Sequence, residues 1–310
     1  MDNGLSIVVC TRNRQERLFV TIDSLISQKT NDDFNYEISI VDSSDDDSIK
    51  YKLAKQYPNS NINYYWEPNL NLSEARNFGI KSAKGKIVAF IDDDGIAEES
   101  WLSEHYKLYA DPSVVSVGGK IVPKWQNEIP PWLSPEILAK YSSYLSLHDL
   151  GSDVKQIRYP EIPYGCNMSF RRDIFVEEIE FDKRLGRRRN TLMSDEEVFI
   201  YYLLNQKRYK IMYTPFAKVY HQIDSSRLTK AFFNRRSYWE GASNARMDKM
   251  IMNKKRGIIK YLKFLVIKMP KNIIGYILYS WVLRSRYKTF VHKTRIIYFL
   301  GYLFEGIKSF

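Results

Sequence analysis

Lys86-Ile87-Val88-Ala89-Phe90-Ile91 runs without a polar break into Asp92-Asp93-Asp94-Gly95. Five branched, small and aromatic apolar residues after Gly85 predict an interior strand of a sheet covered on both faces. The three carboxylates then fall at its C-terminal end, the edge of an open α/β sheet where ligands usually bind. Acids crowded into a partly buried place need positive charge among them, and a divalent cation with hard oxygen ligands, Mg or Mn, is a natural partner. A solvated Asp-Gly turn with a helix cap is the plain alternative from these residues alone.

The pattern recurs upstream. Leu5-Ser6-Ile7-Val8-Val9-Cys10 predicts a first buried strand, followed by the loop Thr11-Arg12-Asn13-Arg14 and a helix with Leu18, Ile22, Leu25 and Ile26 on its core face. Residues 37–41 predict a second strand ending at Asp42-Ser43-Ser44, with Asp47 or Ser48 capping the next helix. A third strand is expected over residues 62–65, and Ser73 is expected to cap a helix carrying Arg76 and Asn77. Four strands alternating with helices within about 95 residues predict βαβ units. The expected fold class is therefore α/β, a Rossmann-like, mostly parallel central sheet with flanking helices. Thr11, Arg12, Asp42 and Asp92 to Asp94 gather at one sheet edge. Neither G-x-G-x-x-G nor G-x-x-x-x-G-K-[ST] occurs, so a dehydrogenase or P-loop reading has no motif behind it. A diphosphate at this edge would need a metal to neutralise it.

Further along, a helix is predicted from Trp101 to Tyr109 and a strand over residues 114–119. A Pro- and Trp-rich stretch then runs from Pro123 to Pro135. Its Trp faces suit either sugar stacking or core packing. Tyr164-Gly165-Cys166-Asn167 leads into another strand, and Gly186-Arg187-Arg188-Arg189 forms a cationic loop. Ser194-Asp195-Glu196-Glu197 opens a helix, where first-turn acids suit the helix dipole. Residues 210–213 and 217–220 predict two short strands, the second ending at His221. Arg235-Arg236-Ser237-Tyr238-Trp239 reads by itself as an amphipathic helix with a solvated basic face.

Charge separates the chain into two parts. The net charge is +11 over 310 residues. From Arg246 onward fifteen Lys/Arg face two acids, a balance of +13, which leaves about −2 for residues 1–245. Lys and Arg interrupt every long apolar run of this tail, so none reaches the roughly 18–20 apolar residues of a spanning helix. The mixture of Ile, Leu, Phe and Tyr with basic residues predicts amphipathic helices lying on an anionic membrane surface. Nucleic acid is not expected as a partner, because a phosphate-binding stripe has no use for so much apolar surface; a protein partner stays open. Cys10 and Cys166 have no zinc spacing and read as small core residues of a reducing compartment. The amino-terminal residues lack the basic start and long apolar core of a signal peptide, and a cytoplasmic location is expected.

Ser6 to Arg14, Ile40-Val41-Asp42-Ser43-Ser44, Ala75-Arg76-Asn77-Phe78-Gly79 and Phe90-Ile91-Asp92-Asp93-Asp94 together resemble the successive signatures of family-2 glycosyltransferases with the GT-A fold. The resemblance continues through Tyr164–Arg172, Asp195–Glu197 and Arg235–Gly241. It implies an inverting transfer of a sugar from a nucleotide-diphosphate donor to a hydroxyl of a glycan or lipid-linked acceptor. Thr11, Arg12, Asn13, Asp42, Arg76, Asp92 and Asp93 would bind the nucleotide. Asn167 would meet the donor sugar, and Arg235, Arg236 and Trp239 would close over the diphosphate. Asp94 of the Asp-x-Asp motif, with His221, would hold Mg or Mn. Glu197 would be the catalytic base, with Glu196 and Asp195 as fallbacks, since the usual Glu-Asp pair is here Glu-Glu. The implied division is a catalytic domain over 1–245, with a nucleotide-sugar half at 1–118 and an acceptor half at 119–245, and a basic amphipathic tail at 246–310. The competing functions are a nucleotidyltransferase acting on a sugar phosphate and a non-catalytic nucleic-acid or membrane-binding protein.

Overall fold

Alternation between two-residue and 3.6-residue hydrophobic periods sets the order of elements in the computed structural model. It describes residues 4–30, 34–58, 60–177, 179–188, 191–252 and 254–307. The strands are β1 (Leu5–Thr11), β2 (Tyr36–Asp42), β3 (Ile62–Trp66), β4 (Ile87–Phe90), β5 (Gly95–Ala97), β6 (Val114–Trp125), β7 (Lys155–Ile157), β8 (Met168–Arg171) and β9 (Lys210–Ile223). The helices between them are α1 (Gln15–Ile26), α2 (Ser48–Gln56), α3 (Leu72–Ser82), α4 (Trp101–Leu108), α5 (Pro135–Lys140), α6 (Asp173–Glu177) and α7 (Glu196–Gln206). Four more follow: α8 (Lys230–Ile251), α9 (Lys254–Lys263), α10 (Met269–Ile277) and α11 (Arg286–Ile307).

Among the described residues the strands form one mixed sheet in the order β3-β2-β1-β4-β8-β6-β9-β5, with β7 beside β9. The expected βαβ half is there: β3, β2, β1 and β4 pair in parallel. Beyond β4 the sheet is mixed, since β8 runs antiparallel to both β4 and β6 while β6 and β9 are parallel. Alternate residues of β1 face opposite cores. Ile7 and Val9 pack with Leu18, Ile22, Leu53 and Trp101, whereas Val8 packs with Ala75, Ile80, Phe170 and Tyr201. Burial on both faces is why these strands read as nearly unbroken apolar runs.

Several local expectations are corrected. Asn71, and not Ser73, caps α3: its side chain accepts from Glu74 N–H while the Glu74 carboxylate accepts from Asn71 N–H, a complete capping box. Ile26 is exposed, and the buried stripe of α1 is Leu18, Thr21, Ile22 and Leu25. The two short strands expected over 210–220 are a single strand, because β9 pairs with β6 along its length and absorbs the break in an irregular register near Gly119.

The chain divides into two compact units. The first holds Met1–Trp125, Ser146–Lys183 and Glu196–Ile223, hence the whole sheet; the second holds Gln126–Leu145, Arg184–Asp195 and Asp224–Phe310. In the second unit α8 and α11 cross closely at glycines. A Cβ on Gly241 would strike the backbone of Tyr298, and one on Gly301 the backbone of Tyr238. Among the described residues no helix is long and apolar enough to cross a membrane.

Asn167 was expected at the donor sugar, but the structure places it in the core, fully buried. Its amide N–H groups donate to Lys120 O (3.0 Å) and Ala217 O (2.8 Å). Its carbonyl accepts from Trp101 Nε1 (2.8 Å) and His105 Nε2 (2.9 Å). Burial pulls the His105 imidazole down to about 4, so the ring is neutral, its Nε2–H donates to Asn167 and its Nδ1 accepts from the Ser169 hydroxyl. Both donors and both lone-pair directions of the Asn167 amide are thereby used, and it ties β6, β9 and α4 together. Asn167→Ala should cost about 2–4 kcal/mol, since it strands buried donors and acceptors that then lack partners. A urea-melt difference below about 1 kcal/mol would contradict this placement.

Candidate functional site

Register brings the first polar residues level. Thr11 and Asp42 are direct partners at the ends of β1 and β2. Asp42 is fully buried and accepts from Ser44 N–H (2.8 Å), the Ser44 hydroxyl and the Tyr64 phenol (2.8 Å). Burial, helped by the Asp42 carboxylate, pushes the Tyr64 phenol well above its ordinary value. Asp42 therefore shapes the loop after β2. Asn13 takes the left-handed conformation, φ 52°, a position Asn tolerates better than most residues. Its N–H donates to the Ser44 hydroxyl and its side chain to Asp45, beside which Arg12 also lies at 3.4 Å. Arg12 and Asn13 thus form a clamp at the sheet edge.

The acids after β4 divide between two sets of cations. Asp93 accepts from the Thr11 hydroxyl (2.8 Å) and from Arg14 Nη1 (3.0 Å). Burial pushes its carboxyl up to about 6 against the pull of Arg14. Asp94 meets Arg14 (3.3 Å) and Arg17 (3.8 Å) through one oxygen and His221 Nε2 (3.2 Å) through the other. His221 is held there by pairing of β5 with β9, in which it faces Gly95, and by the Gln222 N–H donating to Asp94 O.

Asp92 turns to a different partner. Its carboxylate lies 3.6 Å from Arg76 Nη2, and the same guanidinium is 3.1 Å from Glu196 and 3.8 Å from Glu197. Arg76 is buried, with its planar face over the rings of Phe181 and Phe90. It is therefore not a surface ion pair on α3 but the cation at which three carboxylates meet, one from the tip of β4 and two from the start of α7. Gly165 closes on this group from β8's approach: a Cβ there would run into the Arg76 guanidinium and stand 2.7 Å from Glu197 Oε1. Its N–H donates to that same oxygen at 3.2 Å.

These neighbours set the acids apart. Burial raises Asp92 despite the pull of Arg76, and the charge of Asp94 adds to the rise; about a third of its side chain, 35%, is exposed. Burial also pushes Glu197 up, but Arg76 and the hydrogen bonds to its carboxylate win, and it is held below its ordinary value. Its side chain is 18% exposed against 3% for Glu196. Of the two glutamates that start α7, Glu197 is thus the more open one, and Arg76 favours its ionised form.

The remaining expected residues lie in the second unit. Asp195 has φ 88° and is buried. Arg236 donates to Leu192 O (3.0 Å) and the Ser194 hydroxyl (2.9 Å) and lies over the Tyr144 ring, so its guanidinium is used within that unit. Arg235 is exposed on α8, and Trp239 is half-buried edge-on to Tyr238. Trp132 packs against Phe233 and Phe290, which favours core packing over an open stacking face. Of the cationic loop Gly186–Arg189, Arg189 lies outside the described residues.

Arg14 and Arg17 were given no role from sequence, yet they carry the charge balance of Asp93 and Asp94. The available signal was their spacing of three at the start of α1, which puts both on one helix face beside the strand tips. Gly165 carried no local signal, because its neighbours are about ninety and thirty residues away.

A family model described as glycosyl transferase family 2 matches residues 6–177. A glucosyl-dolichyl phosphate glucuronosyltransferase from Haloferax volcanii is 27% identical over 271 residues, 85% of this chain and 83% of that protein. A chondroitin synthase from Escherichia coli is 31% identical over 119 residues, but those span only 17% of its length. Among solved structures, a mannosyltransferase from Pyrobaculum calidifontis in complex with GDP-Man and Mn2+ matches with a TM-score of 0.64 at 14% identity, covering 100% of this chain and 88% of that one. The fold is therefore shared with GT-A enzymes.

The Arg76 cluster makes a pH-dependent prediction. Arg76→Met leaves Asp92, Glu196 and Glu197 without their shared cation and should cost about 3–5 kcal/mol near neutral pH. Without the cation their folded pKa values rise, so the variant binds more protons when folded, and its deficit should shrink as pH falls. Thermal melts of both proteins at about pH 5 and about pH 7.5 read this directly; a deficit that stays constant or grows toward acid would refute the assignment.

Proposed function

Given that the chain belongs to glycosyltransferase family 2, we propose that it is an inverting enzyme that moves a sugar from a nucleotide-diphosphate donor to a hydroxyl of a glycan or lipid-linked acceptor. The observation that carries this reading is the pair of acid stations at one sheet edge: Asp93 and Asp94 with Arg14, Arg17 and His221, and Asp92 with Arg76, Glu196 and Glu197. Thr11, Arg12, Asn13 and Asp42 shape the nucleotide end, and Asp92 and Asp93 offer carboxylates to base or ribose hydroxyls. Glu197 is ionised, hydrogen-bonded in place by Gly165 and partly open, as a general base must be. It takes the acceptor proton while the acceptor oxygen forms its bond to the anomeric carbon and the bond to the diphosphate oxygen breaks, the electron pair leaving with the diphosphate. One carboxylate suffices for a single displacement, so no covalent glycosyl intermediate is needed.

The donor set suits Mg or Mn. Asp94 Oδ1 and His221 Nε2 lie 3.2 Å apart, close enough to share one ion. Among the described residues no cluster of three or more His, Cys, Asp or Glu could hold a metal. Asp94 and His221 would supply two donors, and a bound diphosphate would supply others, the usual way Mg is held. When bound, the ion neutralises charge on the departing diphosphate. Arg14 and Arg17 hold the other oxygen of Asp94.

The lipid-linked form of the acceptor is supported by the dolichyl phosphate in the name of the Haloferax volcanii relative. Peripheral membrane contact through residues 246–310 is supported by apolar side chains left exposed among basic ones, Trp281 at 78% and Val266 and Ile274 at 66% each. Within this reading residues 1–245 carry the transfer, and the tail keeps the enzyme at the inner membrane face.

Nucleotide release from a panel of nucleotide sugars, with Mg or Mn or with chelator, tests the proposal. One donor should yield a nucleoside diphosphate in a metal-dependent way, and Asp94→Asn should abolish the metal response. Glu197→Gln should bind that donor normally but turn over about 10²–10⁴-fold more slowly. Pyrophosphate as the product would favour the nucleotidyltransferase instead. Wild-type turnover by Glu197→Gln would remove the base assignment.

A further inference from the structure

Arg14 is the last residue before α1, and its Nη1 alone reaches both acids that follow β4, at 3.0 Å from Asp93 Oδ1 and 3.3 Å from Asp94 Oδ2. The two carboxylates are nearly buried, 6% and 2% exposed, whereas the Arg14 side chain is 40% exposed. Arg17 lies in the first turn of α1 and comes within 3.8 Å of the same Asp94 oxygen. Two fixed positive charges therefore already answer these two carboxylates before any other cation arrives.

That balance bears on the ion proposed for Asp94 and His221. A carboxylate attracts a divalent cation through its negative charge, and a guanidinium beside it both offsets that charge and repels the ion. With Oδ2 of Asp94 engaged by the arginines, Oδ1 is the oxygen left to share with His221 Nε2, 3.2 Å away. Among the described residues no cluster of three or more His, Cys, Asp or Glu completes a site. Two donors with their charge already compensated hold a bare ion poorly, and hold better an ion that brings phosphate oxygens with it.

We propose that Arg14, backed by Arg17, lowers the affinity of the free enzyme for Mg or Mn, so that the ion is retained only when the diphosphate of the donor adds its own oxygens and charge. The inference rests on the metal assignment of the proposed function and deepens it, since the two arginines decide when that site fills. The way Arg14 is held suits the role. It offers one nitrogen to two acids instead of a paired fork to either, and an ion pair with so exposed a partner contributes little to stability. Unlike buried Arg76, it can be removed with the fold left standing.

Mn2+ binding to the full-length protein without nucleotide tests this, read from the loss of the free-ion paramagnetic resonance signal at about pH 8, where protons compete least with the metal. Arg14→Gln should bind Mn2+ about tenfold or more tighter than the wild type, Arg17→Gln should gain a smaller factor, and Arg14→Lys, which keeps the charge, should stay within about threefold of the wild type. Asp94→Asn added to Arg14→Gln should erase the gain. Tighter binding is a change that damage to the fold does not produce. Affinity that is unchanged or weaker in Arg14→Gln, an equal gain in Arg14→Lys, or a gain that survives Asp94→Asn would overturn the inference. Nucleotide release is measured in the same preparations. Metal-dependent release by the wild type with no Mn2+ gain in Arg14→Gln would refute the role of the arginine alone. A gain in a protein that releases nucleotide from no sugar donor would refute the transferase reading and leave the effect of Arg14 on the ion standing.

Discussion

A buried guanidinium is costly unless carboxylates meet it, and the sheet-bearing unit of this molecule is arranged so that they do. Arg76 reaches its position because α3 is fixed at two places. Asn71 and Glu74 close the capping box at its start, and the Asn77 amide both donates to Phe181 O (2.8 Å) and accepts from Phe181 N–H (2.9 Å). The segment that holds α3 also supplies the Phe181 ring beneath the guanidinium. From there Arg76 draws together Asp92 at the tip of β4 and Glu196 and Glu197 at the start of α7. The order of the sheet edge and the placing of the proposed base are thus one electrostatic event.

The two acid stations differ in charge balance, and the difference has chemical meaning. Asp93 and Asp94 face two arginines and a histidine, while Asp92, Glu196 and Glu197 share Arg76. Crowding is expressed unequally: burial raises Asp92, whereas Glu197, with Arg76 and the Gly165 N–H against it, stays low. Their surroundings thus push neighbouring carboxyls in opposite directions, and only Glu197 combines a cation, a backbone N–H and partial access to solvent.

Sequence periodicity reached the strands and their polar tips because both are local. A strand buried on two faces has to be an apolar run, and a loop at its end has to be polar, so Thr11, Asp42 and Asp92 to Asp94 could be placed at one edge before any coordinates. The misplacements have a common cause. Ser73 and Asn71 are both good caps, and the choice rests on which of them has Glu three residues on; Asn71 does. A break in β9 was read where a register irregularity sufficed. Asn167 looked like a ligand residue because it sits in a family-like segment, but its four hydrogen-bond partners come from Trp101, His105, Lys120 and Ala217, none adjacent in sequence. Arg76 is the same case: its burial depends on Phe181 and Glu196, more than a hundred residues away, and nothing within its own helix reports them.

The basic tail shows how composition alone can place charge without placing structure. Its excess of Lys and Arg was evident, but the second unit it joins also recruits residues 126–145 and 184–195, a partnership that no local pattern encodes. Helix crossing at Gly241 and Gly301 brings α8 and α11 backbone to backbone, and polar pairs finish the joint: buried Tyr302 donates to Asp248 at 2.8 Å and half-buried Arg246 meets Glu305 at 2.5 Å. Both acids of the tail are consumed in these internal contacts, Asp248 also taking Lys260. The positive charge that remains outward is therefore left to solvent and ligands, next to the apolar residues that the crossing could not cover. Basic and apolar side chains exposed side by side are the observation on which the proposed membrane contact of this tail rests.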